Sequence, residues 1–408
     1  MIQRKIKQRI LEALTDSPVV LIHGARQTGK STLVKHIAET DYPAKYLTFD
    51  DLNLLSAAQN NPYDFIEGYR DNLVIDEVQR VPEIFLAIKN LVDKNRKAGK
   101  FILTGSANVL LLPKISESLA GRIEILTLFP LSQSEISSAK INFIDELFVN
   151  KFSSGSQSRK KNNLVNKVLT GGFPEMLSRK NRKRQNAWFK SYITTILQRD
   201  VRDIANIEKL SDLPRLLSLF AARAGTLLNF AELSRSSAIP QTTLKRYVAL
   251  FEAIFMVHLL PAWSGNLSKR LIKTPKIYLN DTGLLSYLIG FEANKILSDS
   301  PSWGRLLENF VLMELIKQAS WSKFDLSLYH FRSASGQEVD FIIEKSDSRL
   351  VAVEVKATTK VTAADFNHIR AFEDDTGNKF LRGIVFYTGK EIIPFAKNLF
   401  AIPVDLLW

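Results

Sequence analysis

The chain has 408 residues, 45% of them hydrophobic and 24% charged, which excludes wholesale disorder and collagen-like repeats and implies roughly two to four domains. Lys plus Arg number 55 against 42 Asp plus Glu, a net charge of +13 that points to a polyanionic partner such as nucleic acid ahead of a membrane surface. Cysteine is absent, which rules out disulfides and cysteine-ligated zinc and fits a reducing cytoplasm; Leu250–Trp263, the most apolar stretch, is short and carries Glu252 and His258, so a soluble protein without signal peptide or membrane span is expected.

The first 130 residues alternate strand-like and helix-like segments, the pattern of a mostly parallel sheet covered by helices. Val19–Ile22, Tyr46–Phe49, Leu73–Ile75, Phe101–Leu103 and Ile123–Leu128 are short apolar runs, as strands buried on both faces should be. Gly24-Ala25-Arg26-Gln27-Thr28-Gly29-Lys30-Ser31 follows the first run and precedes an amphipathic helix, Ser31–Glu39; it fits G-x-x-x-x-G-K-[ST] at every fixed position. Gly24 and Gly29 permit a tight loop whose N–H groups converge on phosphates, Lys30 brings a charge to the β/γ-phosphates, and Ser31 supplies a magnesium ligand. The loop through Thr32 is thus the expected ATP-binding segment.

The third run ends in Asp76-Glu77. An apolar strand ending this way places Asp76 beside the magnesium and Glu77 next to the γ-phosphate, where a carboxylate orients and deprotonates water. The fourth ends Leu103-Thr104-Gly105-Ser106, whose hydroxyls either sense the γ-phosphate or serve turn chemistry. Arg122, just before the fifth, is either an arginine finger for a neighbouring subunit or a structural ion pair.

These segments, with Ile75-Asp-Glu-Val-Gln79 and Leu119-Ala-Gly-Arg122 followed by Pro130-Leu-Ser132, resemble the bacterial and archaeal AAA+ ATPases that carry a C-terminal domain of unknown function. Gly171-Gly-Phe-Pro-Glu175 and Gln198-Arg-Asp-Val201 are similar to that family's linker, so the resemblance covers nearly the full length. It implies self-assembly into a homo-oligomer; the biological purpose of such proteins is poorly defined.

Residues 151–190 hold eleven basic side chains (Lys151, Arg159, Lys160, Lys161, Lys167, Arg179, Lys180, Arg182, Lys183, Arg184 and Lys190) against one acid, Glu175. Such a run is a solvated face or a nucleic-acid contact, with Arg182, Lys183 and Arg184 the candidates; Ser153–Asn163 is a polar loop. From Asp203 to Val257 the pattern is helical. Leu227–Val257 reads as helix, turn at Ala238-Ile239-Pro240, helix, with Leu244, Tyr247, Val248, Phe251 and Ile254 as the apolar stripe. Gln241, Thr242, Lys245 and Arg246 form the exposed leading face, and a basic hairpin with Lys269, Arg270, Lys273 and Lys276 follows. That order is the order of a winged helix, which either reads DNA or packs against protein.

In the tail, Gln337–Glu344 and Leu350–Lys356 read as two strands of a hairpin centred on Asp347. Asp340 then faces Glu354 with Cβ atoms about 5 Å apart, and Lys356 shares the face. Glu308, on the amphipathic helix Leu306–Ile316, can approach them. Helix Glu, strand Asp, then Glu-x-Lys resembles the PD-(D/E)xK nuclease superfamily, which implies a restriction-endonuclease-like fold and a second Mg²⁺ or Mn²⁺ held by Asp340 and Glu354. The plain alternative is a solvated, salt-bridged strand edge. His23, His36, His258, His330 and His368 lack metal-ligand spacing.

The expected architecture is α/β throughout: a P-loop AAA+ domain (1–135), a basic helical linker (136–204), a winged helix (205–290) and a nuclease-like α/β domain (291–408). The expected function is ATP hydrolysis coupled to DNA processing or remodelling. The rivals are an ATP-gated regulator with an inactive nuclease-like tail and a metal-dependent nuclease.

Overall fold

A computed structural model describes residues 2–106, 119–140, 142–149, 163–204, 212–266, 268, 270, 273–333 and 335–408, without the side chains of 199–204. Lys151, Arg159, Lys160, Lys161, Lys269 and most of the Ser153–Asn163 loop lie outside the described residues.

Five parallel strands form the first sheet: β1 (Val19–His23), β2 (Lys45–Thr48), β3 (Leu73–Asp76), β4 (Phe101–Gly105) and β5 (Ile123–Thr127), in the order β2-β3-β4-β1-β5. Alternate side chains of β1 enter two different cores. Val19 and Leu21 join Leu73, Ile75, Phe101 and Leu103 on one face, while Val20 and Ile22 join Val74 and Ile102 on the other. Each of these side chains is fully or almost fully buried, and each contributes on the order of 1.5–3 kcal/mol of hydrophobic stabilisation. Continuous apolar runs are the sequence form of a sheet covered on both faces.

The middle of the chain begins with the long helix Arg182–Ile204 and continues as helix Leu213–Ala222, strand β6 (Thr226–Leu227), helices Phe230–Ser237 and Gln241–Ala253, then β7 (Val257–Leu260) and β8 (Lys276–Leu279). The strands pair antiparallel in the order β6-β8-β7. The all-helical reading from Asp203 to Val257 is corrected here, because β6 interrupts it. Ala238, at φ +59°, ends the first helix of the pair, and Leu244, Tyr247, Val248, Phe251 and Ile254 are all buried.

The tail is a six-stranded mixed sheet: β9 (Leu326–Arg332), β10 (Glu338–Lys345), β11 (Leu350–Lys356), β12 (Phe380–Tyr387), β13 (Ile393–Ala396) and β14 (Leu399–Pro403), ordered β13-β14-β12-β11-β10-β9. Its β10–β11 register, Phe341 opposite Val353 and Ile343 opposite Val351, is the hairpin centred on Asp347. Helix Ser300–Ser320 was expected to be amphipathic over Leu306–Ile316 but is buried nearly all round from Leu306 to Gln318. It is the axis of a core that runs without a break from the middle segment into the tail sheet. Glu314 and Lys317, on this helix, pair at 3.0 Å and bind the stretch after β5: the Gln133 N–H donates to Glu314 at 2.8 Å, and Lys317 Nζ donates to the Leu131 carbonyl at 3.2 Å.

Candidate functional site

All five strands of the first sheet point the same way, so their C-terminal ends share one edge, where ligands of open α/β sheets bind. The phosphate-loop residues follow β1 there, Asp76 and Glu77 end β3, and Thr104 and Ser106 end β4. The loop bends sharply at Gly24, where a Cβ would stand 2.2 Å from the Leu128 carbonyl oxygen, and passes through φ +93° at Gly29 before helix Lys30–Thr40 begins. No larger residue fits the first position, and the second avoids the left-handed penalty only as glycine. Lys30 Nζ donates to the Gly24 and Ala25 carbonyls, each at 2.9 Å, and the Thr28 hydroxyl donates to the Ala25 carbonyl at 2.9 Å. Arg26 and Ser31 are partly buried, and Gln27 and Thr32 are exposed.

Two residues that sequence reasoning missed brace this loop from outside. Arg4 donates to the Thr28 carbonyl at 2.7 Å, to the Phe129 carbonyl at 2.6 Å and to Glu135 at 2.9 Å. The Tyr192 hydroxyl, from helix Arg182–Ile204, donates to the Arg26 carbonyl at 3.3 Å. Neither residue belongs to a local motif, since each acts across a long sequence separation.

The carboxylates are held as firmly. Asp76 is buried and accepts hydrogen bonds from the Thr104 hydroxyl and, at 2.6 Å, from the Tyr46 hydroxyl on β2. Burial, and then the nearby Asp76 charge, raise the Tyr46 phenol well above its ordinary range, so it stays a donor. Glu77 adopts φ +58°, and its N–H donates to the Thr104 hydroxyl at 3.2 Å. Ser106 donates to the Glu77 carboxylate at 3.3 Å, while Gln79 donates both to that carboxylate and, at 3.0 Å, to Ser106. Turn chemistry is therefore not the whole role of Thr104 and Ser106. Tyr46 is a further candidate that no spacing rule marks, and Gln79 closes the Ile75–Gln79 segment with a bond to Glu77.

A glycine cradle, an ammonium at the loop and a buried carboxylate at the same sheet edge fit a magnesium nucleotide. Lys30 and the loop N–H groups would hold its phosphates, and Ser31 and Asp76 its metal. Arg122 is elsewhere. Its carbonyl accepts from Val19 N–H at 3.2 Å at the start of β1, one strand length (about 15 Å) from the loop. Its guanidinium pairs with Asp93 at 2.5 Å.

The second constellation assembles in the tail. Asp340 accepts from Val355 N–H at 2.9 Å beside Glu354, Lys356 pairs with Glu354 at 3.3 Å, and the Tyr278 hydroxyl donates to Glu308 at 2.6 Å. Burial, reinforced by the Asp340 charge, pushes Glu308 up to about 7 and Glu354 well above the carboxylate range. Lys276 reaches into the same group and pairs with Glu338 at 2.6 Å. Burial works against its charge, but Glu308, Asp340 and Glu338 hold it above its ordinary range. Lys276, read from sequence only as one of the cations of a basic hairpin, is buried here; alternation along the sequence does not reveal which sheet faces which. Among the described residues no group of three or more His, Asp or Glu side chains is arranged to hold a metal ion.

The basic candidates divide. Lys183 and Arg184 are exposed on helix Arg182–Ile204, and Thr242, Lys245 and Arg246 are exposed on helix Gln241–Ala253. Arg182 turns inward and donates to the Leu169 carbonyl at 2.6 Å and the Ser286 hydroxyl at 2.7 Å. Arg270 makes a two-pronged pair with Glu344 at 2.5 and 3.0 Å and lies over the Trp263 and Tyr329 rings. Both terminal guanidinium nitrogens of each arginine are thus engaged inside the fold. Lys269 lies outside the described residues.

Comparison with known proteins places an AAA domain at residues 16–137, a domain of unknown function (DUF8612) at 161–295 and another (DUF4143) at 303–407. Uncharacterized proteins Rv2008c of Mycobacterium tuberculosis and Mb2031c of Mycobacterium bovis are each 31% identical over 404 residues, 99% of this chain and 84% of theirs. Uncharacterized protein MJ1544 of Methanocaldococcus jannaschii is 25% identical over 371 residues, 87% of this chain and 79% of its own. Among solved structures, the Walker-type ATPase PABY2304 of Pyrococcus abyssi is similar at 17% identity and a TM-score of 0.44, covering 71% of this chain and 96% of that one. The Thermotoga maritima RuvB Holliday junction branch migration motor is similar at 18% identity and a TM-score of 0.30, covering 63% and 89%. No helix among the described residues is long and apolar enough to cross a membrane. The chain belongs to the family of the two mycobacterial proteins, and within it a P-loop AAA-type ATPase domain is followed by two domains of unknown function.

Proposed function

We propose that this protein hydrolyses ATP with magnesium and couples its nucleotide state to the handling of DNA, as a cytoplasmic AAA+ homo-oligomer. The observation that carries the ATPase half is the meeting of Lys30, Ser31, Asp76, Glu77, Thr104 and Ser106 at one sheet edge, with Glu77 held by Ser106 and Gln79. Glu77 would take the proton of the attacking water, and Lys30 would hold the β/γ-phosphates. Coupling has a physical route in Arg4, which ties the loop to Glu135, and in Glu314, which ties the same stretch to the buried tail helix.

The DNA half is supported by the +13 charge and by the exposed Lys183, Arg184, Thr242, Lys245 and Arg246. Helix, short strand, two helices and hairpin, with β6 and β7 flanking β8, support a winged helix for about 205–290, between a linker at 136–204 and a nuclease-like unit from 291 onward. The mixed sheet bearing Asp340, Glu354 and Lys356 supports a restriction-endonuclease-like tail. A second reading, an ATP-gated regulator with a silent tail, is favoured by the Lys276 ammonium among the carboxylates. Metal-dependent cleavage, the third reading, requires magnesium- or manganese-dependent nicking lost in Lys356→Ala.

The test is ATP hydrolysis by wild type and Glu77→Gln, with and without linear and branched DNA. Hydrolysis lost in the variant and stimulated by DNA is the expected result. Hydrolysis indifferent to every DNA would turn the exposed basic helices into a protein-facing surface, and no hydrolysis at all would remove the ATPase reading.

A further inference from the structure

Four carboxylates from the tail meet where its sheet faces β8: Glu308 from helix Ser300–Ser320, Glu338 and Asp340 from β10, and Glu354 from β11. The Lys276 ammonium lies among them, 2.6 Å from Glu338, 3.6 Å from Glu308 and 3.8 Å from Asp340, with a side chain only 3% exposed. A lysine on a basic hairpin ordinarily keeps its head in water. Buried here, it is tolerated only because carboxylates surround it.

A divalent ion shared by Glu308 and Asp340 would need oxygens at about 2.0–2.6 Å from one point. An ammonium within 4 Å of oxygens from both residues stands in that space. Its backbone cannot easily carry it away. Lys276 is a residue of the central strand, opposite Leu227 of β6 on one side and Leu260 of β7 on the other. The same strand is clamped to the tail helix by Asn309, which accepts from Leu279 N–H at 2.9 Å and donates to the Leu279 carbonyl at 2.8 Å. We propose that Lys276 is the resident cation of this cluster and that, while it is in place, the cluster takes no divalent ion. The residue therefore decides which cation the tail holds. This conclusion is independent of hydrolysis at the phosphate loop, and it is incompatible with a metal-dependent nuclease in the folded state described.

The test is a Mn²⁺ titration of the full chain without nucleotide, with free Mn²⁺ read by electron paramagnetic resonance. Wild type is expected to bind no ion at the cluster up to millimolar Mn²⁺. Lys276→Met should gain one site per chain, at least tenfold tighter than anything in wild type, and lose it again in Lys276→Met/Asp340→Asn. Thermal unfolding gives a second readout: Mn²⁺ should raise the Tm of the single variant and leave that of the double variant unchanged. Lys276→Gln, which keeps a donor for Glu338, serves if the methionine variant does not fold. A wild-type ion lost in Asp340→Asn overturns the proposal, as does a folded Lys276 variant that binds no more Mn²⁺ than wild type. If neither variant folds, the wild-type titration decides by the same criterion.

Discussion

Arg4 donates to the carbonyl of Thr28 at 2.7 Å, so a residue near the start of the chain holds the middle of the phosphate loop. The same guanidinium pairs with Glu135, whose side chain is fully buried. Arg4→Met would leave that carboxylate without its ion partner, and breaking such a buried pair costs about 3–5 kcal/mol. Urea unfolding should show a loss of that order, and equilibrium ATP binding measured under folding conditions should weaken. Unchanged stability would mean that Ser132 and the Lys5 N–H, which donates to Glu135 at 3.0 Å, satisfy the carboxylate without Arg4.

Thr104 serves two site residues at once, as donor to Asp76 and acceptor from the Glu77 N–H. Thr104→Val keeps the shape and removes both bonds, at about 1–3 kcal/mol for the groups left unpaired. The expected result is a fall in kcat of roughly tenfold or more with a smaller change in ATP affinity, recovered largely in Thr104→Ser. A change confined to KM would show that Thr104 positions the nucleotide rather than Glu77.

Arg122 lies at the opposite end of the sheet from the loop of its own chain. Its pair with Asp93 is a solvent-screened surface pair, so Arg122→Ala should barely alter stability. Under the proposed oligomer, the variant should lose hydrolysis, and mixing it with Glu77→Gln should restore part of it through mixed interfaces. Full activity in Arg122→Ala would leave the residue its structural role alone.

Charge removal separates the exposed from the inward-facing basic residues. Lys183→Ala, Arg184→Ala, Lys245→Ala and Arg246→Ala should each weaken DNA binding and flatten the salt dependence, by about 0.9 in log–log slope for each phosphate no longer neutralised. Arg182→Ala and Arg270→Ala should instead lower the Tm, because those guanidinium groups bind Leu169, Ser286 and Glu344. Salt slopes from fluorescence anisotropy and thermal scans on the six variants give the comparison.

His330 supplies a pH signature. Burial lowers its pKa to about 4, the Lys276 charge adds to this, and the bonded Thr274 carbonyl works against it. A group depressed in the folded state contributes stability above its unfolded pKa, near 6.5, and loses it as pH falls through the folded value. The loss between those limits amounts to about 3 kcal/mol at most. Urea unfolding of wild type and His330→Gln across that window should show the shallower dependence in the variant.

The first sheet was legible in the sequence because its information is local. Each strand is a short apolar run, and Gly24, Lys30 and Ser31 sit at spacings that the loop geometry demands. The β10–β11 register was legible too, since a hairpin turn fixes the pairing of everything behind it, and Phe341 does face Val353. Lys276 shows where local reasoning stops. Its neighbours on the chain mark it as one of several hairpin cations, and only the approach of β8 to the tail sheet makes it the counter-charge of Glu338, Asp340 and Glu308. Arg182 and Arg270 make the same point: sequence counts charges, whereas packing decides which of them spend donors inside the fold.

Helix Ser300–Ser320 draws the line most clearly. Local pattern alone places a helix with an acidic Glu308 before the tail strands, and sets Asp76, Glu77 and the phosphate loop at the ends of parallel strands of one sheet. It took the packing of the whole chain to bury this helix nearly all round from Leu306 to Gln318, and to bind Glu314 and Lys317 along it to the stretch reached by Arg4. Hydrophobic periodicity and turn geometry act over a few residues and leave their mark in the sequence. A buried charge must find its partner wherever the fold brings one, and that pairing has no fixed distance along the chain.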